Sequence, residues 1–239
     1  MSQDKEDIIS LMDEFENSPE RVLFLQLEAL GSSYRVFTGN YRELVVLLDV
    51  VENQKVAIHL SDVKRRNEFL RVFEELTRLL HNFTASAKTL IYHTRTHIHR
   101  LYEGQPFVNE YESKIAEKFT SSPIQRFVQD LRNYTQHYTL PAVGRSMSWS
   151  RGQDYYNIMY YLDVKELRKW GNWSPESQQY IDAFQEKLSL KQLADDYFSL
   201  VNEFYQWLDK REQEVNSEKL ELYRQMQEQI ASLLKKNER

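Results

Sequence analysis

The chain is 239 residues long, carries a formal net charge of −5 and contains no cysteine. The missing thiols exclude disulfides, thiolate catalysis and Cys-ligated zinc, and the net charge disfavours a general electrostatic attraction to nucleic acid or to an anionic membrane. The length suffices for one sizeable domain, and 15 Tyr, 12 Phe and 4 Trp within a 41% apolar composition point to an aromatic-rich core.

Six Gly and five Pro leave long uninterrupted stretches, so long helices are expected. The start, Met1 to Lys5, lacks a basic leader followed by an apolar region, and the strongest apolar run, Leu44 to Val51, is short and holds Asp49. A soluble, unexported, cytoplasmic chain is the expectation, with no membrane partner. Residues 6–30 carry Ile9, Leu11, Met12, Phe15, Val22, Leu25 and Leu27, consistent with one helix or two broken near Ser18-Pro19, and Gly31 offers a stop. Tyr41, Leu44, Val45 and Leu48 recur at helical spacing, which favours helix over strand there.

From Ser61 to Tyr102 no Pro or Gly intervenes, and Phe69, Val72, Phe73, Leu76, Leu79, Leu80 and Phe83 begin one apolar stripe. A dominant helix follows, started by Ser61 or Asp62 and ended by Gly104 and Pro106. Residues 110–119 read as a short helix, and Pro123 opens another that Pro141 closes. Val143, Met147 and Trp149 then alternate, as do Tyr156, Ile158, Tyr160 and Leu162, around a turn at Ser150 to Asp154, so a β-hairpin is expected over about 143–163. Helical spacing resumes at Val164, pauses between Gly171 and Pro175, and continues through Tyr180, Phe184 and Leu188. Residues 190–236 form one long helix or two, with Tyr223, Met226, Ile230 and Leu233 tracing a short coiled-coil seam. The fold class expected is mainly α, a long-helix bundle with one small β-hairpin, in a single domain over 1–239.

Chemistry concentrates in Asp130-Leu131-Arg132-Asn133-Tyr134-Thr135-Gln136-His137-Tyr138. Arginine brings a permanent charge and a planar donor fork for phosphate, and histidine exchanges a proton near neutral pH. On a helix, Asn133 and His137 share a face, whereas Arg132 and His137 point well apart. The segment resembles the Arg-polar-x-x-x-His motif of HEPN domains, helical modules of many bacterial RNases and defence proteins. The likeness covers this motif and the helical layout from about residue 60 to residue 140.

This resemblance implies a metal-independent endoribonuclease, a toxin or defence effector, that needs no cofactor and leaves a 2′,3′-cyclic phosphate and a 5′-hydroxyl. Arg132, Asn133 and His137 would be catalytic, with the motif helices of two chains meeting in a homodimer. Arg95 and Arg145 are candidate substrate-binding cations, and a protein antitoxin or regulator is a further expected partner. The same residues also suit a non-catalytic HEPN-like interaction module or scaffold, in which Arg132 pairs with an acid and His137 supports the turn before Pro141.

Other signals are weaker. His93 and His97 stand at metal-gripping spacing without a third ligand, so a polar interhelical patch is preferred to a metal site. Trp149, Tyr155, Tyr156 and Tyr160 could stack bases, but packing of the hairpin is the favoured use. No Gly-rich phosphate loop and no Gly-x-Ser-x-Gly elbow is present, which disfavours P-loop nucleotide hydrolysis and α/β-hydrolase chemistry.

Overall fold

The computed structural model describes residues 3–149 and 156–237. The turn expected at Ser150 to Asp154, and Tyr155, lie outside the described residues. The fold is mainly α, with a small three-stranded antiparallel sheet.

Helix α1 (Gln3–Glu16) ends at Ser18-Pro19, where Ser18 accepts from the Arg21 N–H and Pro19 takes the first helical turn. Helix α2 (Pro19–Val51) then runs for 33 residues, straight through the expected stop at Gly31. Gly31 and Gly39 each weaken a helix by about 1 kcal/mol. The buried row Leu23, Leu30, Phe37, Leu44, Leu48 and Val51 outweighs that cost, because local propensity yields to packing of a continuous apolar face.

Helix α3 (Gln54–Leu60) was not expected, and a 3₁₀ turn (Val63–Arg65) capped by Asp62 separates it from α4 (Arg66–Tyr102). Gly104, at φ +76, supplies the left-handed residue that ends this long helix, and Pro106 opens α5 (Pro106–Ile115). A π-helical turn (Ala116–Thr120) extends α5, and α6 (Pro123–His137) follows.

Strands β1 (Val143–Trp149) and β2 (Tyr156–Asp163) form the expected hairpin, pairing from Val143 with Leu162 to Trp149 with Tyr156. Gly144 stands opposite Tyr161, where a Cβ would come within 2.5 Å of the tyrosine ring, so a larger residue would have to displace that side chain. After α7 (Val164–Leu167) and α8 (Pro175–Asp182), strand β3 (Lys187–Ser189) adds to β2. Leu188 therefore lies on a strand, a correction to the helix expected there. Three residues are too few to show a period of two in the sequence. The C-terminal stretch is two helices, α9 (Leu190–Val215) and α10 (Ser217–Asn237).

The core is aromatic, as the composition implies. Phe37 of α2 is fully buried and packs on Phe83 of α4 and on Tyr197 and Phe198 of α9, with centroids 5.4, 6.1 and 5.9 Å away. Tyr41 stacks on Phe198 at 3.9 Å and donates to Asp195 at 2.8 Å. Burial, followed by the hydrogen bond to Asp195, pushes the Tyr41 hydroxyl up to about 12. On α10, Tyr223 of the expected seam stacks on Phe24 at 4.3 Å and on Phe15 at 5.5 Å, so this part of the seam is occupied within the chain.

A buried polar knot joins the ends of α4 and α9. His97 Nε2 and Glu212 Oε1 lie 2.6 Å apart with both side chains 6% exposed, and Asn216 donates to Tyr102 Oη at 2.7 Å and to the Glu212 carbonyl at 2.7 Å. Burial above all, then the neighbouring Glu212, raises the Tyr102 hydroxyl above its ordinary value. Removing one partner strands the other in a dry site. His97→Ala is expected to cost about 3–5 kcal/mol in urea unfolding, and a loss below about 1 kcal/mol would show that the pair is not coupled to folding.

Glu52, at the C-terminal cap of α2, accepts from the Tyr160 backbone N–H at 2.9 Å. Desolvation raises its carboxyl above the usual range, only partly opposed by that hydrogen bond. A raised folded-state value favours the folded protein below the unfolded value of about 4.3, and the benefit is lost as pH rises through the folded value. Glu52→Gln keeps the acceptor, so it is expected to be more stable than wild type at pH 7, with the difference vanishing toward pH 4. Urea titrations at both pH values read this out.

Candidate functional site

Helix α6 begins with Ser122 accepting from the Gln125 N–H and Pro123 in the first turn, and it ends where Tyr138 and Thr139 both donate to the Tyr134 carbonyl. Its buried row includes Phe127, Val128, Leu131 and Tyr134. Tyr134 stacks on Trp173 at 5.5 Å and meets Trp170 edge-on, while Phe127 packs between Trp173 and Tyr180. Asp130, also buried, accepts from the Ser174 N–H at 3.1 Å, from Ser174 Oγ at 2.6 Å and from Ser177 Oγ at 2.7 Å. A carboxylate on α6 thus secures the start of α8, and its place in the motif segment is structural.

The motif residues follow from this anchoring. With Leu131 and Tyr134 inward, Arg132 and Asn133 are half-buried at the sides and His137 is exposed in the last turn. The Arg132 Nε–H is buried without an acceptor, and Arg132 forms no ion pair among the described residues. The acid partner expected for a purely structural Arg132 is therefore not found there. Five residues at 100° each place Arg132 and His137 about 140° apart around the helix, so one chain does not bring them into a compact pair.

The two candidate substrate-binding cations lie on different parts of the fold. Arg145, on β1, donates to Ser61 Oγ at 2.9 Å and to the Ala57 carbonyl at 3.4 Å, with its guanidinium 4.5 Å from the centre of the Phe69 ring. It ties the hairpin to α3 and to the start of α4. Arg95, on α4, lines a half-open cleft of about 750 Å³ between α4, α5, α6 and α9. The α6 residues in that cleft are Gln125, Arg126 and Gln129, about two to three turns before His137, and Lys88 of α4 bonds Gln129 at 3.2 Å.

The cleft is the feature that the sequence did not disclose. Tyr111, Phe204 and Tyr205 give it aromatic walls, and the π-helical turn contributes Ala116, Phe119 and Thr120. Such turns recur at functional sites. Burial raises the Tyr111 hydroxyl despite the nearby Arg95 charge, and burial above all raises that of Tyr205, which is hydrogen-bonded to Thr94. The π turn has no recognisable sequence signal, and Tyr111 and Phe119 meet Phe204 only through the fold.

His93 and His97 address different partners. His93 Nδ1 lies 2.6 Å from Ser33 Oγ and His97 is held by Glu212, which makes them the polar interhelical patch that was preferred. No group of three metal-capable side chains forms among the described residues. Tyr160 is fully buried, with its ring 5.6 Å from that of Phe73, whereas Trp149 and Tyr156 are exposed cross-strand neighbours. Among the described residues no helix is long and apolar enough to cross a membrane. No family model, no curated protein and no solved structure matches this chain.

Asp130 and Arg132 should separate cleanly in stability. Asp130→Ala leaves Ser174 and Ser177 donors without their acceptor and is expected to cost about 2–4 kcal/mol. Arg132→Ala removes no formed ion pair and should cost less than about 1 kcal/mol. Equal losses in urea unfolding would mean that Arg132 has a structural partner after all.

Proposed function

We propose that the chain is a HEPN-type, metal-independent endoribonuclease. The observation that carries this reading is Arg132, a half-buried guanidinium with an unpartnered buried donor, on the same helix as the exposed His137. A cation left without a protein anion is suited to an anion from outside, and a phosphodiester presents the planar acceptor pair that a guanidinium fits.

In the proposed reaction the ribose 2′-oxygen attacks the adjacent phosphorus and loses its proton to a base. The bond from phosphorus to the 5′-oxygen breaks, and that oxygen takes up a proton. His137 transfers a proton in this exchange, Arg132 stabilises charge on the phosphoryl oxygens, and Asn133 orients His137 or a phosphoryl oxygen. Because Arg132 and His137 diverge within one helix, the competent site combines Arg132 of one protomer with His137 of another in a homodimer. An effector role in defence, held in check by an antitoxin or regulator that covers the end of α6, fits this arrangement. The divergence also favours a second reading, an interaction module without catalysis, if the chain is a monomer in solution.

Cleavage of mixed RNA in excess chelator, with end-group analysis, tests the proposal. Wild type should yield 2′,3′-cyclic phosphate and 5′-hydroxyl ends, and Arg132→Ala and His137→Ala should each lose about 10²–10⁴ in rate while keeping wild-type circular dichroism. Inactivity of the wild type on varied RNAs, or full activity of either variant, sinks it. Light scattering at micromolar concentration should give a dimer, and a strict monomer removes the composite site.

A further inference from the structure

A net charge of −5 for the whole chain does not describe the corner between α3 and α4. Lys55, Lys64, Arg65, Arg66 and Arg71 against Asp62 and Glu68 leave residues 53–71 at +3. Arg65 pairs with Glu68 at 2.8 Å, and Asp62 accepts from the Lys64 N–H in capping the 3₁₀ turn. Lys55, Lys64, Arg66 and Arg71 are exposed and form no ion pair among the described residues. A local excess of this kind attracts anions that the protein as a whole repels.

The corner also projects. His59 Nε2 lies 3.7 Å from Glu68 Oε2, so the chain doubles back across the 3₁₀ turn, and from Ser61 to Glu68 every residue except Arg65 is exposed. Arg145 holds the base of the corner through Ser61 and the Ala57 carbonyl. Val63, in the turn, is 88% exposed, more than any other large apolar side chain among the described residues. Ile58 on α3 and Leu70 on α4 stand behind it at 49% and 47%. One exposed aliphatic is ordinary, but three on a basic corner mark a surface that meets something apolar.

The side-chain types narrow the partner. Valine, isoleucine and leucine offer no flat face for a nucleic-acid base, and Phe69, the only Phe, Tyr or Trp of residues 53–71, lies under the Arg145 guanidinium at 4.5 Å. An anionic lipid surface presents its negative charge above an apolar interior. An aliphatic tip with cations set behind it has the matching order of depth.

We infer that the corner between α3 and α4 docks peripherally on an anionic lipid surface, with Val63 entering the headgroup boundary and Lys55, Lys64, Arg66 and Arg71 meeting lipid phosphates. No helix needs to cross the bilayer. A few cations and one valine give weak, reversible, salt-sensitive attachment.

Flotation of the full chain with vesicles of phosphatidylcholine, and of phosphatidylcholine containing one third phosphatidylglycerol, tests this at low salt without nucleic acid. The chain should float with the anionic vesicles only, and the bound fraction should fall several-fold at physiological salt. Lys64→Gln combined with Arg66→Gln should weaken vesicle binding at least about tenfold. Val63→Asp should weaken it several-fold at the same salt, and Val63→Trp should tighten it. All three positions are exposed, so wild-type circular dichroism is expected of each variant. No flotation with anionic vesicles, equal flotation with neutral ones, or wild-type binding by either weakened variant overturns the inference. So does a single-stranded DNA oligomer that displaces the vesicles and binds Val63→Asp as well as wild type, which would assign the corner to nucleic acid. DNA lacks the 2′-hydroxyl that cleavage requires, and Arg132 and His137 are untouched, so failure here leaves the cleavage reading standing and the reverse holds too.

Discussion

The aromatic joint around Phe37 sets the positions of everything else. Phe37 is fully enclosed by Phe83, Tyr197 and Phe198, so three long helices meet through one side chain. Ring stacking fixes their spacing, and two hydrogen bonds across the joint, Tyr34 Oη to Asn202 at 2.5 Å and Tyr41 Oη to Asp195 at 2.8 Å, fix their register. A tyrosine is useful here because it fills the core with its ring and carries a donor to the edge of it. With α2, α4 and α9 so fixed, α5 and α6 close the remaining side and leave the cleft between them.

The two faces of α6 do different work. Toward the core, Phe127, Tyr134 and Asp130 hold the Trp170–Trp173 region and the start of α8. Toward solvent, the helix leaves Arg132 without an anion among the described residues, and His137 exposed. Rigid support under unsatisfied polar groups is what a preorganised site requires, since a group fixed in advance pays less ordering entropy when it meets its substrate. The N-terminal half of the same helix contributes Gln125, Arg126 and Gln129 to the cleft, so one element carries both candidate sites along its length. Arg145 lines neither the cleft nor α6: its guanidinium bonds Ala57 and Ser61 and lies over Phe69.

The sequence by itself determined the helical class, the long α4, the break at Ser18-Pro19, the start of α6 at Pro123 and the β-hairpin, because caps, prolines and apolar periods are local signals. It also determined that Arg132 and His137 diverge on their helix, since that follows from 3.6 residues per turn. Tertiary structure alone decided that α2 passes through Gly31, where buried area outweighs a local preference, and that Leu188 joins a strand, where pairing to β2 overrides a helical spacing. It also decided that His97 faces Glu212, 115 residues away, that Arg145 bonds Ser61, and that an aromatic cleft opens beside Gln125. Each of these rests on partners distant in the chain, and side-chain periodicity reports which face is buried but not what buries it.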